Sequence, residues 1–130
     1  MKKAIIIAAT LSVLPVISSA HMMSPGFQKH SVATPVFTTQ YKLTNHYDHP
    51  AVYTVEVLNK DMSPAAGWRA EKLNYKLNPD SSAKVNLQFK VADETRKLIV
   101  CTTLVDTGKN QEKASIISRV CSRLMLISLR

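Results

Sequence analysis

Glu71-Lys72-Leu73-Asn74-Tyr75-Lys76-Leu77-Asn78 and Lys84-Val85-Asn86-Leu87-Gln88-Phe89-Lys90-Val91 alternate apolar and polar side chains on either side of Pro79-Asp80-Ser81-Ser82. Successive side chains of an extended chain point to opposite faces, so a period of two builds strands with one dry face and one wet face. Leu73, Tyr75 and Leu77 form one dry row and Val85, Leu87, Phe89 and Val91 another. The proline, aspartate and serines between the rows are turn chemistry.

The same period extends outward. Upstream, Val36 to Thr44 places Phe37, Tyr41 and Leu43 on one side, and Ala51 to Asn59 is rich in β-branched and aromatic residues. The polar turn Asn45-His46-Tyr47-Asp48-His49-Pro50 between them predicts a hairpin. Downstream, Lys97 to Val105 and Ser115 to Leu129 read as two further strands, separated by the turn signal Asp106-Thr107-Gly108-Lys109-Asn110. With a short strand near Met22 to Phe27, about seven strands recur at the spacing of an all-β, immunoglobulin-like sandwich. Met62 to Arg69, which holds Pro64, Gly67 and Trp68, reads as a loop whose tryptophan caps the core.

The first twenty residues differ from the rest. Lys2 and Lys3 precede an apolar run from Ala4 to Leu14, then Pro15 and the small-residue ending Ser18-Ser19-Ala20, the three-part layout of a secretory signal cleaved after Ala20. The run is shorter than the roughly 20 apolar residues needed to cross a bilayer. The short run and double-lysine start suit a bacterial signal, which places the expected product in a Gram-negative periplasm. Removal of residues 1–20 leaves about 110 residues as one sandwich domain from His21 to Arg130, enough for a single hydrophobic core. No later apolar run is long enough for stable membrane insertion. The chain has 17 Lys and Arg against 9 Asp and Glu. Export sets nucleic acid aside as the partner of that positive charge, and the cations are scattered instead of forming a polyanion-binding run.

Cys101 and Cys121, the two cysteines, fall within the last two predicted strands, and an even count in a short exported chain favours a disulfide. A redox-active pair would call for C-x-x-C spacing, which is absent. G-x-S-x-G, H-E-x-x-H and a phosphate-cradling glycine loop are also missing, and the nine acidic residues nominate no catalytic pair. An enzyme is not expected. An alternative function rests on His21, which signal cleavage would leave with a free amine and an imidazole together beside Met22 and Met23. His30, His46 and His49 lie elsewhere in the chain. Nitrogen donors suit Cu(II) and thioethers suit Cu(I), so the alternative is a periplasmic copper-binding protein.

Taken together, Tyr41-Lys42-Leu43-Thr44-Asn45 with Pro50, then Val52-Tyr53-Thr54-Val55-Glu56-Val57, Tyr75-Lys76-Leu77-Asn78-Pro79 and Lys84-Val85-Asn86-Leu87 resemble the N-terminal immunoglobulin-like domain of periplasmic pilus-assembly (fimbrial) chaperones. The resemblance places Lys97 to Val105 at the family's strand F and Ser115 to Leu129 at its strand G, where some members carry a disulfide between those strands. It implies binding by β-augmentation, in which an exposed strand adds to a partner's sheet and alternate side chains fill a groove. On that alignment Arg123 takes the place of the basic residue that anchors a subunit's terminal carboxylate. Ile116, Val120, Leu124 and Leu126 form the apolar row of the strand. Phe27 falls near the family's second basic anchor, with Lys29 two residues beyond. A chain ending at Arg130 leaves no room for the family's second domain. The implied role is therefore a single-domain, chaperone-like adaptor, chaperone or structural component of a surface or secretion assembly, with a pilus or secretion-system subunit as protein partner.

Overall fold

Alternation along each strand leaves one side of every sheet apolar, and two such sides facing each other make the core. The computed structural model describes residues 21–106 and 118–130. The expected signal peptide and the turn at 107–110 lie outside the described residues. The described residues form nine strands: β1 (His21–Ser24), β2 (Phe27–Val32), β3 (Val36–Asn45), β4 (Ala51–Asn59), β5 (Trp68–Ala70), β6 (Asn74–Leu77), β7 (Ser82–Lys90), β8 (Arg96–Asp106) and β9 (Arg119–Ser128). They form two sheets, β1-β3-β7-β5 and β2-β9-β8-β4-β6, and the structure is an immunoglobulin-like β-sandwich.

The rows that decided the fold line its interior. Val85, Leu87 and Phe89 are fully buried with Tyr41 and Leu43 from β3, facing Tyr53, Val55, Val57, Val100, Leu124 and Leu126 of the other sheet. Fully burying one such side chain contributes about 1.5–3 kcal/mol. Tyr75 and Leu77 join this core, but Leu73 is half exposed and precedes β6, so the predicted row begins one alternate position too early. Trp68 is half-buried against the core, as expected of a cap, and its indole N–H donates to the Ala65 carbonyl at 3.0 Å. It also opens β5, which pairs with β7 from Trp68↔Phe89 to Ala70↔Leu87.

Two expectations need correction. The turn from Asn45 to Pro50 does not close a hairpin. It carries the chain from β3 in one sheet to β4 in the other, and the Pro79 to Ser82 turn likewise carries β6 across to β7. Asn45 organises both crossings. Its fully buried amide donates to the carbonyls of His49, Leu77 and Asn78, and its oxygen accepts from the Tyr47 backbone N–H at 3.0 Å and the Tyr53 hydroxyl at 2.8 Å. The second correction concerns the first strand, which is broken in two at Pro25-Gly26. β1 lies antiparallel to β3, from His21↔Asn45 to Ser24↔Lys42, while β2 changes sheet and runs parallel to β9. Proline has no N–H to give to a ladder, and the chain changes sheet where that donor is missing.

Candidate functional site: the half-open edge of the last strand

β9 is an edge along only half its length. β2 pairs with it from Phe27↔Arg123 to Val32↔Ser128, so its first residues, Arg119 to Ser122, have β8 on one side and, among the described residues, no strand on the other. Backbone direction alternates along a strand. The Ser118 carbonyl accepts from Leu104 N–H on the β8 side, and Arg123 N–H donates to the Gly26 carbonyl on the β2 side. Arg119 and Cys121 share the phase of Arg123, so their N–H and C=O groups point away from β8 into the open position. These are the groups with which an incoming strand can pair.

The disulfide reinforces this half of the strand. Cys101 and Cys121 oppose each other directly in the β8–β9 ladder, with Cα atoms 4.1 Å apart and a bond between their sulfurs. The Arg119 guanidinium reaches Glu56 on β4 at 2.9 Å and crosses the outer face of the same sheet.

Below the open half, the outer face holds a groove of about 420 Å³ lined by Phe27, Lys60, Lys97, Leu98, Ile99, Arg123, Leu124 and Met125. Register explains the gathering. Arg123 pairs with Phe27 on one side and Ile99 on the other, and Met125 pairs with Lys97 and Lys29. Lys60 follows the end of β4, whose Leu58 pairs with Ile99. Phe27 is 54 % exposed, an unusual amount for an aromatic side chain. Arg123 and Lys97 are exposed as well.

Arg123 is exposed and lies beside the point at which the open edge ends. The apolar row assigned to partner binding is different. Leu124 and Leu126 are 1 % and 0 % exposed and belong to the core, and Val120 packs against it half-buried. Their side chains point inward because they alternate with Arg123, so they cannot fill a partner's groove while the domain is folded. Ile116 lies outside the described residues. β9 therefore presents to solvent its backbone edge and its outward-facing alternate residues, and turns this apolar row inward. Phe27, Lys60 and Lys97 were missed as groove residues because strand register alone brings them to Arg123.

His21, Met22 and Met23 do not come together. Met22 is exposed and Met23 is in the core, as neighbours on a strand must be. The buried His21 ring packs on Tyr53 with centroids 4.6 Å apart. Its Nε2–H donates to the Thr102 carbonyl at 3.1 Å, which leaves Nδ1 to accept from the Ser118 hydroxyl at 3.1 Å. Among the described residues no three His, Cys, Asp or Glu side chains gather around a possible metal position. Burial holds the His21 imidazole below its usual 6.5, against the Thr102 hydrogen bond and with His46 adding repulsion. The unfolded chain then takes up this proton first, so stability is whole above about pH 6.5 and declines as the pH falls toward the lowered value of the folded state. Urea unfolding from pH 7.5 down to 5 should show the wild-type midpoint falling more steeply than that of His21→Gln. Superimposable profiles would contradict a neutral buried ring.

No protein-family model matches the chain, and no curated protein matches it by sequence. Solved structures do match. A chain of the Salmonella enterica SafA pilin complex with the SafB chaperone aligns with TM-score 0.69 at 12 % identity, over 84 % of this chain and 54 % of that one. The E. coli chaperone DraB gives 0.67 at 16 %, over 84 % and 55 %. The ASH / PapD-like domain 7 of human CEP192 gives 0.69 at 10 %, over 95 % and 97 %. The chain spans about half the length of the chaperone chains and nearly all of the isolated PapD-like domain. It has the fold shared by pilus chaperones and PapD-like domains, in agreement with the resemblance of its sequence. Among the described residues no helix is long and apolar enough to cross a membrane.

Proposed function

We propose that the chain is a non-enzymatic periplasmic protein-binding module, which recognises a pilus or secretion-system subunit by β-strand augmentation as an adaptor, chaperone or structural component. The observation that carries this reading is the half-open edge, Arg119 to Ser122, which ends beside the exposed Arg123. A strand added there occupies the position that β2 takes further along the sheet, so it must stop or turn away at Gly26 and Phe27. Running parallel to β9, it brings its C-terminal end to Arg123, whose guanidinium suits a carboxylate. The fold adds support, because structural neighbours include a chaperone in complex with a pilin and a chaperone in complex with a tip subunit.

The test begins with capture of a partner from envelope extracts by the mature protein. Bound to that partner, the Arg119 and Cys121 amides should become protected from hydrogen exchange, since they gain acceptors. Arg123→Ala should weaken binding by about 1.5–3 kcal/mol, the range for a hydrogen bond to a charged group, while leaving the melting temperature unmoved because the side chain is exposed. Calorimetry reads the first effect and thermal unfolding the second. Unchanged affinity would remove Arg123 as the anchor, and unprotected amides would remove the edge.

A further inference from the structure

The groove beside the edge holds more positive charge than one carboxylate can neutralise. Arg123 stands at its β9 wall, Lys97 on β8 and Lys60 just past β4, above an apolar floor of Phe27, Ile99 and Met125. The ion pairs among the described residues are His49–Asp48 and Arg119–Glu56, and none of the three groove cations makes an ion pair or hydrogen bond there. Glu56, an acidic side chain on the same face, is already engaged by Arg119. One guanidinium can hold one carboxylate through two parallel hydrogen bonds. That leaves Lys60 and Lys97 as two cations without an anion among the described residues, at the far side of an apolar strip.

We propose that the groove selects a partner whose C-terminal tail carries a second negative charge, an acidic side chain beside the terminal carboxylate, with Lys60 and Lys97 as its receptors. The inference rests on the augmentation reading above and specifies the partner's chemistry. A strand on the open edge meets Phe27, and the path left to its last residues is the groove across β9 and β8. Neighbouring strands are about 4.8 Å apart, so a tail of two or three residues covers the way from the edge to Lys97. Its apolar atoms lie over Phe27, Ile99 and Met125, and its two anions face Arg123 and the lysine pair. The lysines discriminate more than they bind, because exposed ion pairs are individually weak and an unmatched neutral tail leaves both ammonium groups simply hydrated.

The probes are acetylated hexapeptides of strand-forming sequence ending in Phe-Glu or Phe-Gln, each as the free acid and as the C-terminal amide. They are titrated at low salt into ¹⁵N-labelled protein and followed at the amides of Ile99, Arg123 and Met125. The wild type should bind the Phe-Glu acid about three- to tenfold more tightly than the Phe-Gln acid, a preference that shrinks as salt is added. In the exposed Lys60→Gln/Lys97→Gln double variant the two acids should bind equally, with the preference for acid over amide kept. Arg123→Ala should remove the acid-over-amide preference and keep the glutamate one. Equal binding of both acids by the wild type, or a glutamate preference that survives loss of both lysines, overturns the inference. Loss of the acid-over-amide preference alone overturns the Arg123 anchor and leaves this inference standing. Absence of any shift at the three amides up to millimolar peptide overturns both.

Discussion

Asn45→Ala should lower the stability of the domain by about 3–5 kcal/mol, at the upper end of what single substitutions do. The side chain is fully buried, donates to three carbonyls and accepts from two donors. A net hydrogen bond contributes only about 0.5–1.5 kcal/mol, but a buried group stripped of its partner loses about 1–3 kcal/mol through uncompensated desolvation. Alanine strips several groups at once. The Tyr53 hydroxyl, on a ring that is 0 % exposed, has no water to turn to, and the Leu77 carbonyl loses a donor inside the sandwich. The same substitution unties both chain crossings between the sheets, so neither turn is held against the other. Urea unfolding reads the effect, with Thr44→Ala as the neighbour for comparison. Thr44 shares an exposed hydrogen bond with Ser82, and its loss should change stability by no more than about 0.5 kcal/mol. A loss at Asn45 as small as that at Thr44 would show that the crossings hold without it.

The strands of this fold were legible because burial on one side imposes a period of two, and that period is written in the chain wherever a strand is long. Val85, Leu87 and Phe89 needed no neighbour to be identified. Pairing is a different matter, since alternation fixes the face a residue takes and says nothing of the strand beside it. The Asn45 to Pro50 turn carries the same residue types whether it closes a hairpin or crosses between sheets. What distinguishes the cases is the partner of the Asn45 amide, which lies 32 residues away at Leu77. Leu73 shows the same limit at the end of a strand. It continues the row of Tyr75 and Leu77, but β6 does not extend back to include it.

The candidate site was legible only in part. Arg123 emerged from a resemblance, and the common face of Val120, Leu124 and Leu126 followed from their even spacing, yet nothing in that spacing told whether the face met the core or a partner. Depth within the sandwich decides that, and depth depends on β2. Pro25-Gly26 was the available signal for the switch of β2 to the second sheet, since a proline in a short apolar run interrupts a ladder. Phe27, Lys60, Lys97 and Arg123 are far apart in the chain, and a β-face collects such residues through register alone.

Removing the disulfide should lower stability by about 3 kcal/mol, and should do so unevenly. Closing the roughly 20-residue loop between Cys101 and Cys121 restricts the unfolded chain by about that amount on the loop-entropy estimate. The replacement must respect the two environments. Cys101 is 0 % exposed, so a serine there would bury an unpaired hydroxyl, whereas Cys121 is exposed. Cys101→Ala with Cys121→Ser isolates the bridge from that second effect. The native-state consequence is local, because the pair joins β8 to the half of β9 that, among the described residues, has no strand on its other side. Arg123 to Leu126 have ladder partners in both β2 and β8, whereas Arg119 to Ser122 have a ladder partner in β8 alone among the described residues, and the bridge ties them to it. Hydrogen exchange in the double variant should therefore quicken first at Val120 and Ser122, whose N–H groups face β8, before it quickens at Leu124 and Leu126 in the core. A shift of the urea midpoint worth about 3 kcal/mol with early exchange at those two residues fits a staple that presets the open edge. Exchange rising evenly along β9 would show that the bridge acts through the unfolded chain alone, and that the edge keeps its register without it.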